Sequence, residues 1–298
     1  MRRVRYYAAS ALLVGVFVAL PSFSLILFAS ARVTSVTLTQ PWQPTTQNFT
    51  TVFNNSAVRF AFLRTTEIVI VAVCMEIFLG TLFAFMFCSS SSSALAERLF
   101  SLPVFASPLA VGIVWKLLFT ERGGVVNAAL HYFGGPPAHW MSVSTPVTGI
   151  LTIDRGFALL NANMATALII LADVWQWTPF ITIVVIARLS TVPTHVLEAA
   201  QVDGLSKTRL IVSVLLPLLR PTLVIVGCVR IVDALKIFDT AWVLFGDSFA
   251  TATISVMIVE YGLVIRDFGR AAALSIGLLV LASAFAAVLV AYFRRAHE

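Results

Sequence analysis

Charge is what this sequence lacks most. Only 11% of its 298 residues are Asp, Glu, Lys or Arg, against about 25% in a typical soluble domain. That shortage excludes an ordinary soluble globule. Cysteine is also scarce, and Cys74, Cys88 and Cys228 lie in or at the ends of apolar runs. They form neither a metal spacing nor a disulfide framework, and read as small buried hydrophobes. No Gly-Lys dipeptide occurs, so the chain has no phosphate-binding P-loop of its own. Of four histidines, His131 and His139 share one loop with no carboxylate or cysteine cluster. That leaves no basis for a metal site or a Ser/His/Asp triad. No block of Lys or Arg is long enough to act as a nucleic-acid tail.

What the chain has instead is apolar length. Hydrophobic residues make up 59% of it and mean hydropathy is +0.94. Several runs reach the ~20 residues that a spanning helix needs. Six spans are expected, at 8–30, 62–88, 99–119, 163–190, 217–243 and 268–293. All should be helical, because unpaired backbone cannot face lipid. The start imitates a secretion signal, with Ala29-Ser30-Ala31 as an apparent cleavage site. Its apolar run of about 22 residues is too long for that role, and it is read as an uncleaved first helix.

Basic flanks stay in the cytoplasm. Arg2, Arg3 and Arg5 precede the first run, and Arg294 and Arg295 follow the last. Both termini are therefore expected inside. Outer loops then fall at 31–61, 120–162 and 244–267, and inner loops at 89–98 and 191–216. The run Ser89 to Ser93 reads as a flexible connector, and the apolar part of the second outer loop, Val147 to Leu160, as an interfacial segment. Three parts result: a first helix and outer loop (1–61), a transmembrane core (62–293) containing the 191–216 loop, and a short tail (294–298).

The 191–216 loop is unusually polar for such a chain. Ser190 or Thr191 is placed to cap a helix with Pro193 near its first turn. Val196 to Val202 continues it, and Gly204 supplies the left-handed residue that ends it. Ser206 can cap a second helix, with Pro217 and Pro221 marking re-entry into the membrane. Ala199, Ala200 and Gly204 permit close approach of another protein, and Glu198 and Asp203 offer it charge. An interfacial connector with no partner is the plainer alternative.

Charges also fall inside the spans. Arg230, Asp233, Lys236 and Asp239 follow at i,i+3 spacing with alternating sign. They read either as path-lining groups or as a self-neutralising ladder. Asp173, Trp175, Gln176, Trp177 and Pro179 crowd one stretch of the fourth span, a composition suited to sugar rings or to ordinary packing. Glu76 is a lone acid in the second span, expected to be paired or protonated against another helix.

Glu198-Ala199-Ala200-Gln201-Val202-Asp203-Gly204, followed by Leu216-Pro217, resembles the EAA loop of bacterial ABC-transporter permeases. Within that family it is similar to the carbohydrate-importer subunits related to the maltose permease. Leu102-Pro103, Val114-Trp115, Asp173 to Phe180, Val192-Pro193, Arg230 to Asp239 and Phe268 to Ala273 match in order, over roughly residues 60–293. Two stretches depart from the family pattern: Phe245 to Phe249 and the long second outer loop around Ser144 to Asn161.

The resemblance implies an all-α, six-helix type I importer fold in the bacterial inner membrane. It implies coupling to a cytoplasmic ATPase through Glu198, Ala199, Ala200, Asp203, Gly204, Leu216 and Pro217. A second permease, two ATPase subunits and an extracytoplasmic solute-binding protein would be partners. ATP and Mg would bind the ATPase, leaving this chain without a cofactor and without enzymatic activity. The solute would be a sugar, polyol or glycerol-phosphate type. Its path candidates are Asp173, Trp175, Gln176, Trp177, Arg230, Asp233 and Asp239. An ion-coupled secondary transporter, or a scaffold or sensor without transport, are the alternatives.

Overall fold

A computed structural model describes residues 2–34, 43–89, 94–141, 164–246, 248 and 251–297. In chain order the helices are α1 (Arg2–Ala29), α2 (Gln47–Asn54), α3 (Ser56–Ser89), α4 (Ala94–Ser101) and α5 (Pro108–Phe119). Then come α6 (Val125–Tyr132), α7 (Met164–Leu189), α8 (Thr194–Val202), α9 (Lys207–Leu210) and α10 (Leu216–Ala234). The last are α11 (Asp239–Phe245), α12 (Ile254–Val259) and α13 (Phe268–His297). Among the described residues, strand pairing is confined to two isolated bridges, Ala31 with Pro44 and Thr34 with Asp267.

Four of the described helical stretches are long and apolar enough to cross a membrane: Ser56–Cys88, Met164–Leu189, Lys207–Ala234 and Phe268–Val288. The pair Glu97–Phe105 and Pro108–Phe119 makes a fifth if its two halves count as one span. α1 covers the stretch expected as the first span. The second and fourth spans match their expected limits closely.

The third and fifth depart from expectation. The third is bent by 105° between Phe105 and Pro108. Pro108 has no N–H and pushes the residue before it out of the helical region. Ser107 accordingly has ψ 143°, and its hydroxyl accepts a bond from Ala110 N to start a fresh helix. The fifth span starts earlier and ends earlier than 217–243. Helix runs unbroken from Lys207 to Ala234. Pro217 is accommodated because the turn before it, Ile211–Leu215, is widened to a π-helix in which Leu216 N reaches back to Ile211 O. Helix is therefore continuous through Pro217.

Beyond Ala234 the helix tightens, with Lys236 N bonded to Asp233 O and Ile237 N to Ala234 O. α11 then packs on α5. Thr240 Oγ1 donates to Pro108 O at 3.3 Å and Lys116 Nζ to Val243 O at 2.8 Å. These contacts, with Leu235 and Ile237 buried, outweigh continuation of a straight helix. A further departure is the 244–267 stretch, which contains helix from Ile254 to Val264 with Ile254, Val256 and Met257 buried. The readings on Ser89–Ser93, Val147–Leu160 and Ser144–Asn161 rest on residues that lie wholly or mostly outside the described ones.

Two compact units are present. One comprises Met1–Arg64 and Ala252–Ala284. Its core gathers Ala29, Ala272 and Ala273 with Leu25, Phe49 and Ile276. Asn48 Nδ2 donates to Ala29 O at 3.0 Å and Ala31 O at 2.7 Å, satisfying carbonyls at the end of α1. The other comprises Thr65–Thr251 and Phe285–Glu298. Its core is Ala84, Ile181, Val185, Leu219 and Val226, drawn from α3, α7 and α10. Gly80 permits this packing: a Cβ there would lie 2.8 Å from Ile181 Cβ. Small residues at helix crossings are how membrane helices gain contact without a hydrophobic drive.

Candidate functional site

The crossing of α3, α7 and α10 buries an ion cluster. α10 contributes Arg230 and Asp233, one helical turn apart. α3 contributes Glu76, and α7 contributes Asp173 and Trp177 from one face. Arg230 Nε donates to Glu76 Oε2 at 2.8 Å and its Nη2 to Glu76 Oε1 at 2.9 Å. Nη2 also donates to Asp173 Oδ2 at 3.0 Å, and Nη1 to Asp233 Oδ2 at 2.7 Å. Arg230 Cζ sits 4.4 Å from the centre of the Trp177 ring.

The side chains of Arg230 and Glu76 are 1% and 0% exposed. A charge so placed is tolerable only when paired and hydrogen-bonded, and a bidentate guanidinium–carboxylate fork is the strongest such pairing. Toward the end of α10 the cluster opens. Asp233 is 45% exposed and Lys236, 3.8 Å from it, is 66% exposed.

The ladder expected from spacing thus exists as Arg230, Asp233 and Lys236. Asp239 is not its fourth rung, because the helix has ended. It heads α11 instead, where a carboxylate complements the free N–H groups of a helix start. Glu76 is paired, and its partner is Arg230. Of the α7 candidates, only Asp173 and Trp177 join the cluster.

Trp175 faces elsewhere. It meets Trp115 edge-on at 6.2 Å and is half-exposed. With Phe83, Phe100, Pro103 and Pro179 it lines an apolar cavity of about 610 Å³. Gln176 is buried, and its Nε2 donates to Ala106 O at 2.9 Å. That carbonyl is freed by the break in the third span, and the amide supplies it with a donor. Gln176→Leu leaves the carbonyl unmatched. The expected cost is about 1–3 kcal/mol, read as a lower midpoint of thermal unfolding in detergent.

Outside the membrane spans, His139 has a single carboxylate neighbour among the described residues, with Glu121 Oε2 3.3 Å from its Nδ1. The two residues are far enough apart in sequence that no local spacing signals the pair.

The loop after α7 takes the form its residues imply, with one change. Ser190 and Thr191 do not cap α8. Their hydroxyls donate back to Ala187 O and Arg188 O at the end of α7. α8 starts at Thr194, directly after Pro193. It ends where Asp203 N bonds Ala199 O and Leu205 N bonds Ala200 O. Gly204 between them has φ +71°, the left-handed geometry that closes such a turn. Ser206 Oγ then accepts from Arg209 N at 3.4 Å and starts the next helix. Ala200 is buried, whereas Glu198, Ala199, Val202, Asp203 and Gly204 are exposed. Leu216 is half-buried and Pro217 exposed.

No family model matches the chain. A probable ABC transporter permease protein, y4oQ of Sinorhizobium fredii, is 31% identical over 246 residues, covering 82% of this chain and 74% of the relative. The chain belongs to the ABC-transporter permease family. The permease is also 29% identical over 253 residues to MalF, a trehalose/maltose transport permease of Thermococcus litoralis, covering 84% and 80% of the two chains. Its fold is that of a chain in a solved bacterial ABC transporter that imports the acidic polysaccharide alginate. There the TM-score is 0.81 at 20% identity, covering 100% of this chain and 97% of the other.

The permease is thus a multi-pass membrane subunit and not an enzyme. In it, the loop and the ion cluster share one element. The helix that leaves the Gly204 turn at Lys207 is the same one that carries Arg230.

Proposed function

We propose that the permease is one of two membrane-spanning subunits of an ATP-driven, binding-protein-dependent importer of a sugar or related solute. The observation that carries this reading is the unbroken helix from Lys207 to Ala234. It joins an exposed, helix-turn-helix loop to a buried charge cluster. In this reading six spans place both termini in the cytoplasm of a bacterial inner membrane, and the loop projects on the cytoplasmic side. α8 docks in a cleft of an ATPase subunit, with Glu198 against a basic group and Gly204 holding the turn. Two such ATPase subunits bind ATP and Mg and close on nucleotide.

A loop can shift the conformation of a transporter only through contacts that differ between its states. A stiff helix rooted by Arg230 in α3 and α7 can carry that difference into the core. The solute then passes between this chain and a second permease after delivery by an extracytoplasmic binding protein. The names of the relatives, trehalose and maltose among them, support the sugar class. An ion-coupled carrier fits less well, because Arg230 already occupies the space between Glu76 and Asp173 where a cation would sit.

Reconstitution tests the reading. Purified with its co-encoded partners in vesicles, the assembly is expected to accumulate sugar only with internal ATP. Accumulation driven by an ion gradient without ATP would overturn the proposal.

A further inference from the structure

We infer that the apolar cavity beside the bend of the third span is a binding site for one acyl chain of a membrane phospholipid. The inference uses only the chain's standing as a multi-pass membrane subunit and does not depend on what it imports.

The cavity owes its shape to the bend. α4 and the turn Leu102–Phe105 lead away from α5 at 105°. Together with α3 and α7 they wall a space of about 610 Å³. On α7 the lining residues are Leu171, Val174, Trp175, Thr178 and Pro179. These share one helix face, so the cavity runs about 12 Å along that helix. Leu79 and Phe83, one turn apart, line it from α3.

The chemistry of the walls selects the occupant. They hold one side-chain hydroxyl, that of Thr178, and its oxygen is closed off from solvent. A buried water needs about two to four polar partners, which these walls do not supply. A sugar needs more still. Left empty, the space would forfeit packing on every side. The occupant is therefore hydrocarbon, either side chains of a neighbouring subunit or a lipid tail. A side chain from a facing helix seats among about four residues, whereas twelve line this cavity. A long flexible chain fills such a space. The mouth is apolar as well. Leu99 and Leu102 of the lining are 57% and 59% exposed, and Phe105 beside them 80%. The cavity thus continues the apolar surface that acyl chains already cover. Moving a tail from bilayer to cavity gains no hydrophobic energy; what it gains is the packing that the void lacks.

Trp175 lies in the lining and reports the occupant. The test reconstitutes the whole assembly, with its co-encoded partners, in phosphatidylcholine brominated at mid-chain, where bromine quenches indole fluorescence on contact. The Trp175 signal is the difference between each protein and its Trp175→Phe counterpart, which cancels the other tryptophans. In the unsubstituted assembly Trp175 is expected to be quenched. Ala106→Phe adds a ring to the lining, and close packing then leaves too little room for a tail. Quenching of Trp175 is expected to fall by at least about threefold. Leu102→Phe enlarges an exposed wall residue at little risk to the fold, and is expected to lower quenching in the same direction. Quenching that neither variant reduces means that Trp175 meets only bulk lipid, and overturns the inference. No quenching of Trp175 in the unsubstituted assembly means that a neighbouring subunit fills the cavity, and overturns it too. Either result leaves ATP-dependent uptake, and with it the importer reading, standing.

Discussion

Arg230→Met is expected to destabilise the permease by roughly 3–5 kcal/mol, the range for removing one member of a buried ion pair. Methionine fills most of the volume but leaves Glu76 and Asp173 without their shared partner. Neither carboxylate can turn to water, since Glu76 is wholly buried and Asp173 nearly so. The measurement is the yield of monodisperse protein in detergent and its thermal midpoint. Arg230→Lys is expected to fall between, because an ammonium keeps the charge but not the fork that grips both oxygens of Glu76. Replacing Arg230, Glu76 and Asp173 together by apolar residues of similar volume is expected to restore much of the stability. If that triple variant also transports normally, the cluster is only a structural rivet. If it folds but does not transport, the charges act in the path. A full thermal midpoint in Arg230→Met alone would contradict the geometry described.

The cluster also marks the limit of what local sequence can tell. Arg230 and Asp233 are neighbours on one helix, so their i,i+3 spacing was readable. Glu76 lies 154 residues from Arg230 and Asp173 lies 57 away. Their convergence follows from helix packing, which no local pattern reports. Glu76 could be flagged as needing a partner because an isolated acid in an apolar run is too costly, but the partner could not be named. The same divide runs through the spans. Those at Ser56–Cys88 and Met164–Leu189 are continuous apolar runs, and hydropathy finds them. The third span carries Pro103 and Pro108 in plain view. Its average hydropathy nonetheless hides a 105° bend whose freed carbonyl at Ala106 is met by Gln176 from a distant helix. Gln176 stood as a path candidate because polar and aromatic residues crowd its stretch, a composition that suits sugar rings and ordinary packing alike. Gly204 was legible for the opposite reason, since its role depends only on its own φ.

That independence makes Gly204 the cleanest probe of coupling. Gly204→Val is expected to cut ATP-dependent uptake by at least about tenfold while the protein still inserts and folds. A Cβ at Gly204 meets nothing within 4 Å, so the substitution causes no clash. Its cost is the backbone, where φ +71° is strained for a β-branched residue by about 1–2 kcal/mol. A loss of that size can swing α8 out of register with a partner but cannot unfold the helix from Lys207 to Ala234. Asparagine tolerates the left-handed region, so Gly204→Asn is expected to retain most of the uptake. Glu198→Ala adds the complementary test. Glu198 is exposed on α8, and removing it leaves the subunit's fold intact. An uptake defect in Glu198→Ala with undiminished thermal stability therefore reports a lost contact with another subunit. If Glu198→Ala and Gly204→Val both transport at the unsubstituted rate, this loop does not transmit the work of ATP hydrolysis. The drive must then reach the Arg230 helix by another surface.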